Sequence, residues 1–169
     1  MLFRSWRELL DAIARHGTID GKVVAVQEYG IPNPDLYQGL EQLGARVVPV
    51  PVYRWDLPED TRPLREAIRR IAAGACDVLL FTSAQQWRHV EQIAREEVGE
   101  EVFRTALRRC VIASIGPTAS ETLLAAGVPP DIEPPHPKMG HLVLAVAEQA
   151  RRVLVEKRAA IEERVEEKK

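Results

Sequence analysis

The sequence predicts an α/β fold: a flavodoxin-like parallel five-stranded sheet in the order 2-1-3-4-5, with flanking helices. Three observations predict it. The run Val78-Leu79-Leu80-Phe81 is continuously apolar, as a strand buried on both faces would be, and leads straight into Thr82-Ser83 and a helical pattern. Five short apolar stretches alternate with helical periodicities along the chain, the pattern of parallel strands joined by crossovers. Prolines mark the second and fifth of these stretches, and a strand that lacks N–H donors belongs at a sheet edge. Right-handed crossovers then favour 2-1-3-4-5 among a few arrangements.

The elements follow in order. Residues 5–16 carry Trp6, Leu9, Leu10 and Ile13 on one helical face, opened by Ser5 and ended by Gly17. Lys22–Gln27 is the first strand, stopping at Glu28-Tyr29-Gly30. Asn33 then Pro34 is a good N-cap followed by proline in the first turn, and Gly44 closes that helix. The second strand is Arg46–Tyr53. Its Pro49 and Pro51, two residues apart, remove N–H groups from the same side. Pro58–Pro63 opens a helix to about Ala73. Ser83 and Gln86 have the spacing of a capping box at the start of the helix after strand three. A short helix, Glu101–Arg109, leads to strand four, Cys110–Ile115. Gly116-Pro117-Thr118 starts the next helix and Gly127 ends it. Asp131-Ile132-Glu133, boxed by proline pairs, is a short fifth strand at the other edge. The last helix begins near Lys138 and keeps apolar spacing to about residue 155. Beyond that the charged sequence reads as a solvated or frayed helical tail.

The resulting organisation is an N-terminal helix and turn (1–20), a flavodoxin-like domain (21–155, with a hinge at 53–58) and a charged helical tail (156–169). A chain of 169 residues, 46% hydrophobic, is long enough for one core that buries roughly 70% of the unfolded surface. The net charge of −2 gives no sign of a nucleic-acid partner. Cys76 and Cys110 each precede an apolar strand and read as reduced core thiols, which predicts a cytoplasmic protein. The opening MLFRSWRELLDAIARHG carries charge throughout, so no signal peptide is expected, and no later run reaches membrane-spanning length.

Ligands of such sheets sit beyond the C-terminal ends of the strands. The residues expected there are Tyr29 and Gly30, Tyr53-Arg54-Trp55, Thr82 and Ser83, Gly116, Pro117 and Thr118, and His136 with Lys138. Helix capping alone also accounts for Ser83 and Thr118. His16, His89 and His141 fall in helical patterns and read as surface or packing residues. No cluster has metal-ligand spacing, so no metal is expected. The stretch EYGIPNPD lacks the hydroxyl- and glycine-rich character of a flavin phosphate loop. Strand three closes on Phe81-Thr82, without the aspartate of a phospho-receiver. A G-x-G-x-x-G run is absent, and no nucleophile–base–orienter set is visible. What remains is a set of helix N-termini and hydroxyls suited to an anionic small molecule.

Three stretches, VVAVQEYGIPNPDLYQGLEQLGARVVPVPVYRW, DVLLFTSAQQ and CVIASIGPTASETLLAAGVPPDIEPPHPKMGHLV, resemble the second half of uroporphyrinogen-III synthase. The similarity runs from about residue 5 to 150, with the spacing FTS, IGPT, G-V-P-P-D as its most specific part. The resemblance implies a lyase of tetrapyrrole (haem, porphyrin) biosynthesis that cyclises hydroxymethylbilane, inverting the last pyrrole ring, without a cofactor. Two flavodoxin-like domains would hold the eight-carboxylate substrate between them. It implies Tyr53 as the catalytic candidate, assisting departure of the substrate hydroxyl. Tyr29, Gly30, Thr82, Ser83, Gly116, Pro117, Thr118 and Lys138 are then the substrate-binding candidates. Ala119 stands where many members carry a second threonine. The family's N-terminal half has no counterpart in this sequence, and in the family the chain crosses between domains near Tyr53–Pro58. Three arrangements follow as expectations: a monomer that folds the first two strands back onto strands three to five, a homodimer that exchanges those two strands, or a partner supplying the missing half. The alternative function is a non-catalytic flavodoxin-like module that binds tetrapyrroles or assembles with a partner half.

Overall fold

The computed structural model describes residues 5–166, and the chain divides between Leu57 and Pro58 into two compact units. Residues 167–169 of the expected tail lie outside the described residues.

In the first unit, α1 (Trp6–His16) starts at Ser5, whose hydroxyl accepts from the Glu8 amide, and ends at Gly17. Then come β1 (Val23–Glu28), α2 (Pro34–Gln42) and β2 (Arg46–Pro51). The Asn33 side chain accepts from the Leu36 amide at 3.0 Å and Pro34 occupies the first turn, so two local signals fix the start of α2. α1 lies against α2 where Gly39 meets Leu10. A Cβ on Gly39 would come within 2.3 Å of Leu10 Cδ1, so glycine permits the approach. The strands pair in parallel, from Val23 opposite Arg46 to Glu28 opposite Pro51. Val23, Ala25 and Gln27 alternate outward and are exposed, so one face of β1 is uncovered.

The second unit holds α3 (Arg62–Ala72), β3 (Val78–Phe81), α4 (Ala84–Glu97), α5 (Glu100–Leu107), β4 (Val111–Ser114), α6 (Pro117–Ala125) and α7 (Met139–Glu166). β3 and β4 pair in parallel, Val78 opposite Val111 through Phe81 opposite Ser114. The fifth stretch shrinks to one parallel bridge, Ile132 to Ala113, because flanking prolines leave few residues able to join a ladder. All four residues of β4 are buried. Val111, Ala113, Ile132, Leu142, Ala145 and Ala150 form a core between β4 and α7. A second cluster, Phe81 edge-on to Trp87 and Trp87 stacked on Phe103, joins β3, α4 and α5.

Two features differ from the sequence-based expectation. The strands pair as two separate two-stranded parallel sheets, β1–β2 and β3–β4, and not as one five-stranded sheet among the described residues. Each pair is closed by its own crossover, α2 in one case and α4–α5 in the other. Periodicity along a strand carries no information about which remote strand lies beside it. Leu80 is also 41% exposed, so β3 is not buried on both faces. β4 has neighbours on both sides, β3 and Ile132, whereas β3 has a strand partner on one side only among the described residues.

α7 remains helical to Glu166, past the expected end of its apolar face. Lys157 Nζ lies 2.7 Å from Asp131 Oδ2, and Arg158 pairs with Asp77 at 2.6 Å. The same Asp131 oxygen accepts the Ile112 amide at 2.8 Å, which ties α7 to the β4 edge. Lys157→Met should therefore cost about 1 kcal/mol by urea unfolding, because Asp131 loses a charged partner but keeps an amide. An unchanged midpoint would show that the helix is held by its apolar face alone. Among the described residues no helix is long and apolar enough to cross a membrane.

Candidate functional site

The second unit gathers six of the expected site residues at the C-terminal edge of β3 and β4. The ladder ends at Phe81 and Ser114, and the Ile115 amide extends it by donating to the Phe81 carbonyl at 2.9 Å. Thr82-Ser83 and Gly116-Pro117-Thr118 therefore leave neighbouring strands side by side. Their helix starts differ in what they have already used. The Ser83 hydroxyl accepts from the Gln86 amide at 3.3 Å. Gln86 Oε1 does not close a capping box on the Ser83 amide; it accepts from the Thr82 amide at 2.7 Å and the Thr82 hydroxyl at 3.2 Å. Both hydroxyls of this turn are thus committed to α4. α6 begins at Gly116 with no side-chain cap, which leaves its first-turn N–H groups for a ligand or water.

Gly116 is buried beneath Pro137, and a Cβ there would come within 2.9 Å of the Pro137 side chain. That close approach brings the start of α7 to the same edge. Lys138 is exposed there, and its carbonyl accepts the Leu142 amide at 3.0 Å. Thr118 is exposed, while Ala119 beside it is buried in the core, so no hydroxyl is presented at position 119. Two polar residues that the sequence did not single out brace this edge. The buried Ser114 hydroxyl donates to the Gly116 carbonyl at 3.3 Å, and the Ser120 hydroxyl donates to the Glu133 carboxylate. If the uncapped start of α6 binds a carboxylate, Thr118→Ala should lower that binding by about 1 kcal/mol or less, because a single hydroxyl adds little beside backbone donors. Titration calorimetry with a polycarboxylate checks this, and a larger loss would make the hydroxyl itself the main contact.

The first unit brings together Tyr29, Gly30 and Tyr53, with Trp55 added. The Trp55 indole N–H donates to the Tyr29 carbonyl at 3.0 Å. Gly30 has φ +68°, and a Cβ there would meet Trp55 Cδ1 at 2.5 Å and Tyr53 Cε2 at 3.0 Å. Only glycine fits both the backbone conformation and the space. Tyr29 and Tyr53 lie edge to face with ring centres 6.0 Å apart, and Trp55 is 5.4 Å from Tyr29 and 5.7 Å from Tyr53. The loop after β1 is thereby clasped to the segment after β2. Partial burial pushes the Tyr53 phenol above its ordinary value, and the nearby Tyr29 phenol adds to the shift. Tyr53 is thus a neutral donor throughout the physiological range. Below it, the Tyr37 hydroxyl donates to Glu28 at 2.8 Å, which fixes the end of β1. Trp55 was legible as the second aromatic of Y-x-W, since alternate residues of an extended segment share a face. Among the described residues no group of three or more His, Cys, Asp or Glu side chains converges as a metal site requires.

Residues 4–144 match the family model described as uroporphyrinogen-III synthase HemD. A putative uroporphyrinogen-III synthase of Methanothermobacter thermautotrophicus is 34% identical over 120 residues, covering 71% of this chain and 46% of that protein. The uncharacterized protein YjjA of Bacillus subtilis is 28% identical over 142 residues, covering 83% of this chain and 52% of that one. The chain thus spans about half the length of the curated relatives it matches. A crystal structure of a mutant uroporphyrinogen III synthase from the extremely thermophilic bacterium Thermus thermophilus is similar in fold. Its TM-score is 0.56 at 22% identity, covering 88% of this chain and 55% of that one.

Proposed function

The chain belongs to the uroporphyrinogen-III synthase family, and on that ground we propose that it acts in, or as part of, such a synthase. Its substrate in this reading is hydroxymethylbilane, and its product is the cyclic tetrapyrrole with the last ring inverted. The observation that carries the reading is the side-by-side placement of Thr82-Ser83 and the uncapped start of α6 at one strand edge. Backbone N–H groups and a helix dipole at such an edge suit carboxylates without requiring a basic surface.

In this reading the substrate carries the reactive groups. Loss of its hydroxyl gives an electrophilic azafulvene. The last ring attacks through its substituted carbon, and the resulting spiro intermediate reopens and closes inverted. The residues of this chain hold and orient: the turns Thr82-Ser83 and Gly116-Pro117-Thr118 offer carboxylates the helix-start N–H groups left over once Gln86 has engaged Thr82, with Pro117 shaping its turn without donating. Lys138 adds a positive charge, while Tyr29 and Gly30 line the first-unit loop. Tyr53 donates to the departing hydroxyl. Positioning and fixed dipoles are the means by which such a site accelerates the reaction. The reading includes a cytoplasmic location, which rests on the sparing use of cysteine.

Hydroxymethylbilane given to the protein should yield isomer III above the spontaneous isomer I, resolved by chromatography after oxidation. Isomer I alone, with tetrapyrrole binding retained, would favour the non-catalytic module. That second reading draws on the chain's covering only about half of its relatives. Loss of both would remove the synthase reading.

The five-stranded order 2-1-3-4-5 belongs to the same proposal. β1 has no strand partner besides β2, and β3 none besides β4, among the described residues. Each open edge presents N–H and C=O groups for another strand. A partner half, a second copy exchanging β1–β2 through residues 53–58, or closure within one chain would supply it. Light scattering over a concentration series should show a dimer growing with concentration if copies exchange. A monomer at every concentration leaves the partner half or closure within one chain.

A further inference from the structure

The aromatic side chains of this protein fall into contrasting groups. Phe81, Trp87 and Phe103 form a buried cluster, with exposures of 4%, 2% and 3%. Tyr29, Tyr53 and Trp55 form an equally compact cluster at the ends of β1 and β2, yet their exposures are 66%, 43% and 38%. Large rings held in contact with one another and left open to water are not serving a core. Their geometry is also fixed. The indole N–H is engaged by the Tyr29 carbonyl, and Gly30 leaves no space between the rings and the backbone. Edge-on and tilted contacts leave ring faces available to a further flat group. Neither tyrosine hydroxyl has a hydrogen-bond partner among the described residues, so each can serve a polar substituent of a ligand.

We propose that Tyr29, Tyr53 and Trp55 form a ledge that binds a pyrrole ring of a linear tetrapyrrole through its face, with Trp55 as the residue that builds the ledge. The inference rests on the tetrapyrrole reading above and adds to it a binding role for Trp55 and a ring-recognising site. Pyrrole is flat and carries an N–H, so it can lie offset on an aromatic face and donate to a phenol oxygen. Three rings suit one or two five-membered rings. They are too small a patch for a stable protein interface, which needs on the order of 800 Å² from each partner. Recognition here is through the ring, whereas recognition at the start of α6 is through carboxylates.

Calorimetric titration of the full chain with uroporphyrin I, a stable tetrapyrrole carrying eight carboxylates, tests this. Trp55→Leu removes the ring and should weaken binding about five- to tenfold, as should Tyr29→Leu, whose ring is the most exposed of the three. Trp55→Phe keeps a ring face and should stay within about twofold of the wild type. Thermal unfolding of each variant reports whether the first unit is intact, and Tyr29→Leu carries the test if Trp55→Leu does not fold. Wild-type affinity in a folded leucine variant overturns the ledge and leaves the synthase reading standing. Trp55→Phe binding as weakly as Trp55→Leu also overturns it, because the indole would then act through its N–H alone. A wild-type chain that does not bind the probe overturns the ledge, which is built from this chain alone, and leaves the synthase reading to the isomer III assay.

Discussion

Leu142→Ala is expected to destabilise the unit from Pro58 onward by about 2–5 kcal/mol, the range for emptying a well-packed core site. Leu142 is wholly buried and belongs to the cluster formed with Val111, Ala113 and Ile132, where α7 lies on β4. A cavity there opens beneath the strand from which Gly116 and Thr118 depart. The loss is large against the roughly 5–15 kcal/mol that holds a domain of ordinary stability. Urea unfolding followed by far-UV circular dichroism checks it. A loss below about 1 kcal/mol would mean that the site collapses around the smaller residue and that α7 is docked mainly by its ion pairs. The exposed Val143 on the next position provides the control, since truncating it should change stability by less than about 0.5 kcal/mol.

What was legible in the sequence is what local chemistry determines. Ser5, Asn33 and Ser83 announced helix starts because a short polar side chain before a helical pattern satisfies orphan amides, and all three side chains accept such a bond. Val78–Phe81 announced a strand by its unbroken apolar run, and the proline pairs around Asp131–Glu133 announced how short the fifth would be. What was not legible is long-range. Nothing in Val23–Glu28 or Val78–Phe81 states whether those strands lie side by side, so the two-sheet pairing and the exposure of Leu80 could not be read. The continuation of α7 depends on Lys157 and Arg158 meeting Asp131 and Asp77, carboxylates remote in sequence.

The site divides the same way. The placement of Thr82, Ser83, Gly116, Pro117 and Thr118 at one strand edge was legible, because helix starts follow strand ends in parallel sheets. The capping role of the Ser83 hydroxyl was legible, but the engagement of Thr82 was hidden, because Gln86 reaches one residue beyond the capping-box geometry. Trp55 was visible at its strand end but carried no role, since its partner, the Tyr29 carbonyl, is 26 residues away.

Tyr53→Phe should slow turnover by up to about 10²–10⁴-fold in a protein carrying both halves of the family's length, and leave substrate affinity nearly unchanged. The substitution removes one oxygen and keeps the ring that packs on Tyr29 and Trp55, so the clasp around Gly30 survives. In the proposed reading, what is lost is a donor to the hydroxyl that departs, an interaction that strengthens only as the carbon–oxygen bond breaks. Such a loss appears in kcat and not in binding. The pH dependence sharpens the test. Partial burial, and then the Tyr29 phenol, raise Tyr53 above the ordinary phenol value of 10.0. The folded state therefore holds this proton more tightly than the unfolded chain, and the donor is present at every pH below that value. Ionisation of the donor is displaced to pH above 10.0, and wild-type turnover should fall only in that higher range while the phenylalanine variant shows no matching limb. Single-turnover kinetics across pH separates the outcomes. A rate unaltered by the substitution, together with a lowered melting temperature, would assign Tyr53 to the clasp and remove it from the chemistry.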